Sequence, residues 1–441
     1  MNNILFDLPS PDAPRQQPDV TAAPRLQRPN RAQLELRPVD LEGLLPADHR
    51  ARLVWEFVEG LDLGPLYAEI KAVEGHAGRP PIDPAILMAL WLYATIEGVG
   101  SARAIARLCE EHDAYRWLCG GVSVNYHTLA DFRVQPVEYL DRLLTTSVAT
   151  LRAEGLVTLT RVAQDGVRVR ASAGAASFRR RPRLDAFLAE AEAQVEALRR
   201  ELHDDPAATT RRQAAARQRA AEARRQRVAK ALEQLPEVEA KKRAGEQGKA
   251  RVSTTEPEAR VMKMADGGFR PAYNAQFAAD TGAQVIVGVD VSNVGSDLGQ
   301  LAPMVEQLME RYRHAPGEVV VDGGFAKHED LVKLARPEVG CTVYAPVPHP
   351  RDPTRDPYQP LAEDPPAIAA WRQRMGTEAA KAIYKERGAT SECVNAIARN
   401  RGLRQFLVRG LRKVRAVLLW FAVAHNLMRA VTLRRAAVGA A

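Results

Sequence analysis

Glu318, Val319, Val320 and Val321 run straight into Asp322, Gly323 and Gly324. This run limits the fold more than any other in the chain. β-Branched residues without a polar alternation, ended by turn formers, read as a strand buried on both faces. Such a strand needs neighbours, and those are legible. Val157–Ala171 alternates through VTLTRVAQ, then Asp165-Gly166, then VRVRA. PAYNAQFAAD and QVIVGVDVSN form a hairpin across Thr281-Gly282. Helical patterns separate the later strands. Asp297 is expected to cap a helix with Leu298, Leu301, Met304, Val305, Leu308 and Met309 on one face. A helix over 327–335 leads to the strand CTVYAPVP, and two helices follow a Pro- and Asp-rich loop at 348–366. The order describes an α/β fold: a mixed sheet with helices on both faces.

The remainder is helical. Leu34 to Leu151 carries amphipathic runs with Asp48 and Ser101 as expected caps and Pro84 at a helix start. The short segment SVNYHTLADFR (123–133) suits a helix-turn-helix region or an ordinary bundle. After Pro182, Leu184, Leu188, Ala191, Val195, Leu198 and Leu202 follow heptad spacing. Asp204-Asp205-Pro206 breaks that helix, and a second Ala/Arg/Glu-rich helix runs to about Leu235, which predicts an antiparallel hairpin. It could dimerise, contact DNA or pack on the sheet. Residues 1–32 are polar and Pro-rich and read as a flexible tail.

Charge points to an anionic partner. The 441 residues carry a net charge of +8, with pI about 9.4. From Cys393 onward there is no Asp or Glu, while Arg399, Arg401, Arg404, Arg409, Arg412, Lys413 and Arg415 crowd together. That is a solvated helix face or a phosphate-contacting surface. The four cysteines show no CxxC pairing, so neither a zinc site nor a disulfide framework is expected. The N-terminal residues lack the basic-then-apolar pattern of a signal peptide, which favours the cytoplasm. Val414–Leu433 approaches a membrane span in hydropathy, but Arg415, His425, Asn426 and Arg429 interrupt it. It reads as a buried helix covering a sheet, and no membrane association is expected.

Three acids stand out as candidate ligands. Asp322 ends a buried strand, where open α/β sheets place their ligands. Asp165 has a similar strand-Asp-Gly setting and competes with a hairpin-turn reading; Asp290 and Asp280 on neighbouring strands are its rivals. Glu392 lies in a helical run with Arg399 seven residues on, on nearly the same face. Its rival Glu386 falls on another face, where Lys385 or Arg387 is the expected partner. Carboxylates from two strands and a helix could cage two divalent cations for attack on a phosphodiester.

Here the chain resembles the DDE transposases of bacterial insertion sequences. Those often carry Tyr-x2-Arg-x3-Glu-x6-Lys around the third acid. This sequence has Tyr384, Arg387, Glu392 and Arg399, with one extra residue between Arg and Glu and with Arg in place of Lys. QDGVRVRA resembles the first-acid strand, VVVDGGFA the second, and RPPIDPAILMALWLYATIEGVGSARAIARL the N-terminal region of that family. The resemblance implies an RNase H-like catalytic domain over 151–179 and 250–435, a DNA-binding helical domain over 33–150, and a coiled-coil-like insertion over 180–249. It implies Asp165, Asp322 and Glu392 as catalytic residues holding two Mg²⁺ or Mn²⁺ ions. Tyr384, Arg387, Arg399, Arg401 and Arg404 would contact DNA, with Tyr384 stacking on DNA or simply packed. Partners would be terminal inverted repeats and target DNA, acted on by a homodimer that is nucleoid-associated when bound. A stand-alone nuclease of the same fold, or an inactive DNA-binding derivative, are the alternatives.

Overall fold

The computed structural model describes residues 32, 40–72, 80–204, 210–350, 352 and 354–440. The expected N-terminal tail, Ala32 apart, and most of the Asp-Asp-Pro break lie outside them. Leu41–Ala441 forms one compact unit.

The chain opens with helices α1 (Arg50–Glu59), α2 (Gly64–Tyr67), α3 (Pro84–Ile96), α4 (Ala102–Glu111), α5 (Asp113–Cys119), α6 (Tyr126–Phe132) and α7 (Val137–Ala153). In α3 nearly every residue is apolar, and Pro84 at its first position, capped by Asp83, sets its start. It is consequently buried on almost all sides. Ser101 caps α4 as expected, whereas α1 is capped by His49, whose side chain accepts from Ala51 N, and not by Asp48.

β1 (Arg161–Arg170) follows. It passes unbroken through Asp165-Gly166, so that dipeptide is not a hairpin turn. A ribbon of β2 (Phe178–Arg179) and β3 (Val252–Ser253) then brackets helices α8 (Arg181–Asp204) and α9 (Arg211–Ala240). These run antiparallel: Glu201 pairs with Arg217 at 2.8 Å and Glu190 with Arg224 at 3.4 Å. Leu184, Ala231 and Leu235 bury the hairpin's base against Ala250 and Val252.

The sheet resumes with β4 (Arg260–Lys263), β5 (Phe269–Asp280) and β6 (Ile286–Ser292), and continues through α10 (Leu301–Tyr312), β7 (Glu318–Val320), α11 (His328–Leu334) and β8 (Thr342–Tyr344). β1 lies at its centre. β5 runs antiparallel to β1, and β4 and β6 pair successive parts of β5's outer side. On the other side β7 and then β8 run parallel to β1 and to each other. Four antiparallel strands (β4, β5, β6 and β1) continued by two parallel ones, with helices on both faces, make an RNase H-like α/β sheet. An all-helical region precedes it and a helical hairpin interrupts it.

The last elements are α12 (Pro366–Met375), α13 (Glu378–Arg387), a π-helical turn (Gly388–Glu392), α14 (Cys393–Asn400) and α15 (Leu411–Ala440). α15 covers one face, with Phe421 5.4 Å from Phe277 of β5. α10 covers the other, where a β-carbon on Gly288 would run into Met304 and Leu308. By length and composition α15 could cross a membrane. Its polar residues are instead tied to the sheet: Asn426 exchanges two hydrogen bonds with the Ile286 backbone, and Arg429 donates to Ala283 O. It is the buried covering helix that its interrupting polar residues suggest.

A second cap is corrected. α10 begins at Leu301 without a side-chain cap. The Asp297 carboxylate is buried instead, accepting from Asn274 Nδ2 (2.7 Å), Gln276 Nε2 (2.8 Å) and Arg168 Nη2 (2.9 Å). A charge at that depth has to be paired and hydrogen-bonded, and strands β1 and β5 supply the partners.

Candidate active site

The register of two parallel strands brings the first two acids together. Arg161, Val162 and Ala163 of β1 lie beside Glu318, Val319 and Val320 of β7. Two residues further along each chain, Asp165 stands beside Asp322. β7 frays there because Asp322 turns the chain: its Oδ1 accepts from Gly324 N at 2.7 Å.

The third acid arrives from α13 and the turn after it. Arg387 Nη1 lies 3.7 Å from Asp165 Oδ2, and Arg387 Nη2 lies 3.4 Å from Glu392 Oε1. The same guanidinium lies in the field of Asp322. One cation therefore stands among the three carboxylates. Asn395 of α14 adds a hydrogen bond, Nδ2 donating to Asp165 Oδ2 at 3.0 Å, while its own buried Oδ1 has no partner.

The π turn explains the spacing around Glu392. On an α-helix, residues five apart differ in direction by about 140°, so Arg387 and Glu392 would diverge. A π turn closes its rings one residue later and takes up a single inserted residue. Arg387 and Glu392 then meet as residues four apart do on an ordinary helix. Deleting Ala389 should convert the turn to α-helix and keep the pair together. We expect that variant to retain DNA cleavage within about tenfold of wild type, whereas a second inserted residue should abolish it by swinging Glu392 away.

Burial pushes the Asp165 carboxyl up to about 6; Arg387 pulls it down and Asp322 pushes it further up. A folded value above the ordinary 3.8 means that ionising Asp165 costs stability. The cost is absent below pH 3.8, grows as pH rises, and is complete above about 6. Metal-free Asp165→Asn should therefore unfold at a higher temperature than wild type at pH 7.5. The two should converge near pH 4, and melting curves across that range check this.

The rival acids stand elsewhere. Both Asp280 oxygens are used, one within the β5–β6 turn, accepting from Ala283 N (2.8 Å), and one by the segment before β1, accepting from Leu159 N (3.1 Å). Asp290 is on β6, separated from β1 by β5, and the charges around it are Arg415, Arg311 and Asp141. Glu386 pairs with Arg161 at 2.6 Å, and not with Lys385 or Arg387 as expected; Arg161 also holds Glu318.

The DNA-contact candidates divide. The Tyr384 ring lies 5.9 Å from Arg387 and packs half-buried on the core beneath. Arg399 and Arg404 are exposed and line a cavity of about 840 Å³ that Gly166 also borders. Arg401 turns away: its backbone packs on Gly98, and its half-buried guanidinium lies near Arg50 and Glu97. Asn395 was not legible, because a lone helical Asn carries no signature. Gly166 is legible only in part. A β-carbon there would run into Asp297 Oδ1, so the glycine beside Asp165 is required by packing.

Three carboxylates form a hard-oxygen donor set that suits Mg²⁺ or Mn²⁺. Among the described residues no three acidic, His or Cys side chains already converge as an ion would require. The fit rests on two local deficits: a half-buried Asp165 pushed up despite Arg387, and an Asn395 Oδ1 without a donor. Both would be relieved by positive charge at this point.

Comparison with known families agrees with this architecture. A family described as Transposase domain (DUF772) matches residues 39–135, and one described as Transposase DDE domain matches residues 362–431. Both matches are to transposase domains, and together they support a DDE-type transposase of the insertion-sequence kind. The second match includes Tyr384 through Arg404; Asp165 and Asp322 lie outside both. No curated protein and no solved structure matches the chain.

Proposed function

We propose that this transposase binds the terminal inverted repeats of its element, cleaves the DNA there and joins the ends to target DNA, with Asp165, Asp322 and Glu392 as its catalytic carboxylates. The observation that carries the reading is their convergence on Arg387: two strand ends in parallel register and a π turn deliver three acids to one guanidinium. Asp165, Asp322 and Glu392 would hold Mg²⁺ or Mn²⁺, which supplies the Lewis acidity for attack by water, and later by a 3′-hydroxyl, on a phosphodiester. Asn395 orients the Asp165 carboxylate by its hydrogen bond. Arg387 offsets the carboxylates' mutual repulsion and is placed to meet a phosphate oxygen. Tyr384 supports Arg387 from beneath. Two ends have to be joined in one reaction, so a homodimer is the expected working form, in the cytoplasm on nucleoid DNA.

The test is a joining assay. Purified protein, Mg²⁺, a donor DNA carrying the element's terminal repeats and a plasmid target should yield covalently joined product. Cleavage of the donor without joining would instead favour a stand-alone nuclease.

A further inference from the structure

Behind Asp165 lies a buried polar network that packing alone does not require. Side chains alternate along a strand, so Gln164, Gly166 and Arg168 of β1 lie on one face and Asp165 on the other. The Asp297 carboxylate takes Asn274 and Gln276 of β5 on Oδ1 and Arg168 on Oδ2. Arg168 reaches it from the cleft that Arg399 and Arg404 line. Gln276 Oε1 accepts from Gln164 Nε2 at 3.1 Å, and the same nitrogen donates to Gln300 O at 3.0 Å. Gln164, Asn274 and Gln276 are fully buried, and Asp297 is 8% exposed. Apolar side chains of similar volume often fill such a space without loss of stability. The network is also incompletely satisfied, because Gln164 Oε1 and Asn274 Oδ1 have no donor. A buried charge among such groups costs stability, and this one stands directly across β1 from a candidate metal ligand.

The network meets Asp165 through Gly166. A β-carbon on Gly166 would run into Asp297 Oδ1, so the carboxylate is seated against the glycine backbone. Gly166 N donates to Asp165 Oδ1 at 2.9 Å. Asn395 holds the other oxygen, so the direction of the Asp165 carboxylate depends on where Gly166 lies. The Asp297 charge reaches Asp165 even though Arg168 pairs with it. Burial pushes the Asp165 carboxyl up most, and Asp322 and then Asp297 add to the push.

We propose that Asp297 is a positioning residue for the metal site: its buried carboxylate fixes Gly166, and through the Gly166 N–H the Asp165 side chain, and sets a negative charge behind Asp165 that favours cation binding without ligating the ion. This role rests on the proposed set of Asp165, Asp322 and Glu392 and adds to it a fourth acid from the opposite face of the sheet. Groups that orient a metal ligand from behind typically change metal affinity by about 10- to 100-fold when they are removed.

Mn²⁺ titration followed by electron paramagnetic resonance, on the full chain bound to terminal-repeat DNA, tests it. Asp297→Asn should weaken Mn²⁺ binding by about tenfold or more. Returning the charge to the network, in Gln276→Glu/Asp297→Asn, should recover most of that affinity. A residue that only packs would lower the melting temperature of Asp297→Asn and leave its Mn²⁺ affinity unchanged. Should Asp297→Asn fail to fold, Asn274→Leu/Gln276→Met/Asp297→Leu replaces the network with apolar side chains of similar size; it should keep the fold and show the same loss of Mn²⁺ affinity. Wild-type affinity in whichever of these folds, or a charge-returned variant no better than Asp297→Asn, would overturn the role of Asp297. Asp322→Ala, titrated alongside, separates this from the carboxylate set. If Asp322→Ala loses Mn²⁺ and Asp297→Asn does not, only the role of Asp297 falls; if both bind as wild type does, the set itself is wrong.

Discussion

Asp322→Ala is expected to lower DNA cleavage by about 10³-fold while leaving terminal-repeat binding within about twofold. A bound cation contributes several kcal/mol of charge stabilisation in the transition state, and each 1.4 kcal/mol is a decade in rate. Asp322 is the cleanest of the three acids to remove. Its carboxylate makes one local hydrogen bond, to Gly324 N, and no ion pair among the described residues. Asp165 is half-buried against Arg387 and Asn395, so its truncation would disturb packing as well as chemistry. A gel-based cleavage assay and an anisotropy titration on the same preparation separate the two effects. Cleavage at the wild-type rate would remove Asp322 from the site.

The second large effect is on stability. Trp420 of α15 is 1% exposed, donates from Nε1 to Arg133 O at 2.9 Å, and lies 6.2 and 6.4 Å from the Phe132 and Trp91 rings. It joins the helical region to the helix that covers the catalytic sheet. Trp420→Ala should cost about 4 kcal/mol, the usual result of emptying a large aromatic site, with a further penalty for the carbonyl left without its donor. Trp420→Phe refills part of the space and loses the hydrogen bond, so its cost should be roughly half. Denaturant unfolding at constant slope measures both. A loss below about 1 kcal/mol for the alanine variant would mean that the two regions do not depend on this contact.

Asp322 was readable because everything it needs is local: three valines make the strand and two glycines permit the turn. Asp165 was half-readable. Its strand showed in the alternation, but the Asp-Gly pair resembles a turn, and only β5 and the buried Asp297 explain why the strand continues through it. Asp297 itself resembled a helix cap for the same reason: its true partners, Asn274 and Gln276, come from a strand some twenty residues earlier. Glu392 was found through its charged surroundings, yet its position depended on a π turn that no periodicity announces. The basic tail proved heterogeneous. Arg412 and Arg415 pair with Glu138 and Asp141 of α7, Arg401 packs on the N-terminal helices, and only Arg399 and Arg404 reach the cleft. A run of like charges in sequence says little about which members are already neutralised in the fold.

The central claim is that Asp165, Asp322 and Glu392 act as one metal-binding set. Counting bound Mn²⁺ by electron paramagnetic resonance, in complexes with terminal-repeat DNA, tests it most directly. Wild type should bind two ions per active site, and Asp322→Ala and Glu392→Gln should each bind fewer, while Glu386→Gln and Asp290→Asn should match wild type. Full Mn²⁺ binding by Asp322→Ala or Glu392→Gln, or its loss in Glu386→Gln, would contradict the account.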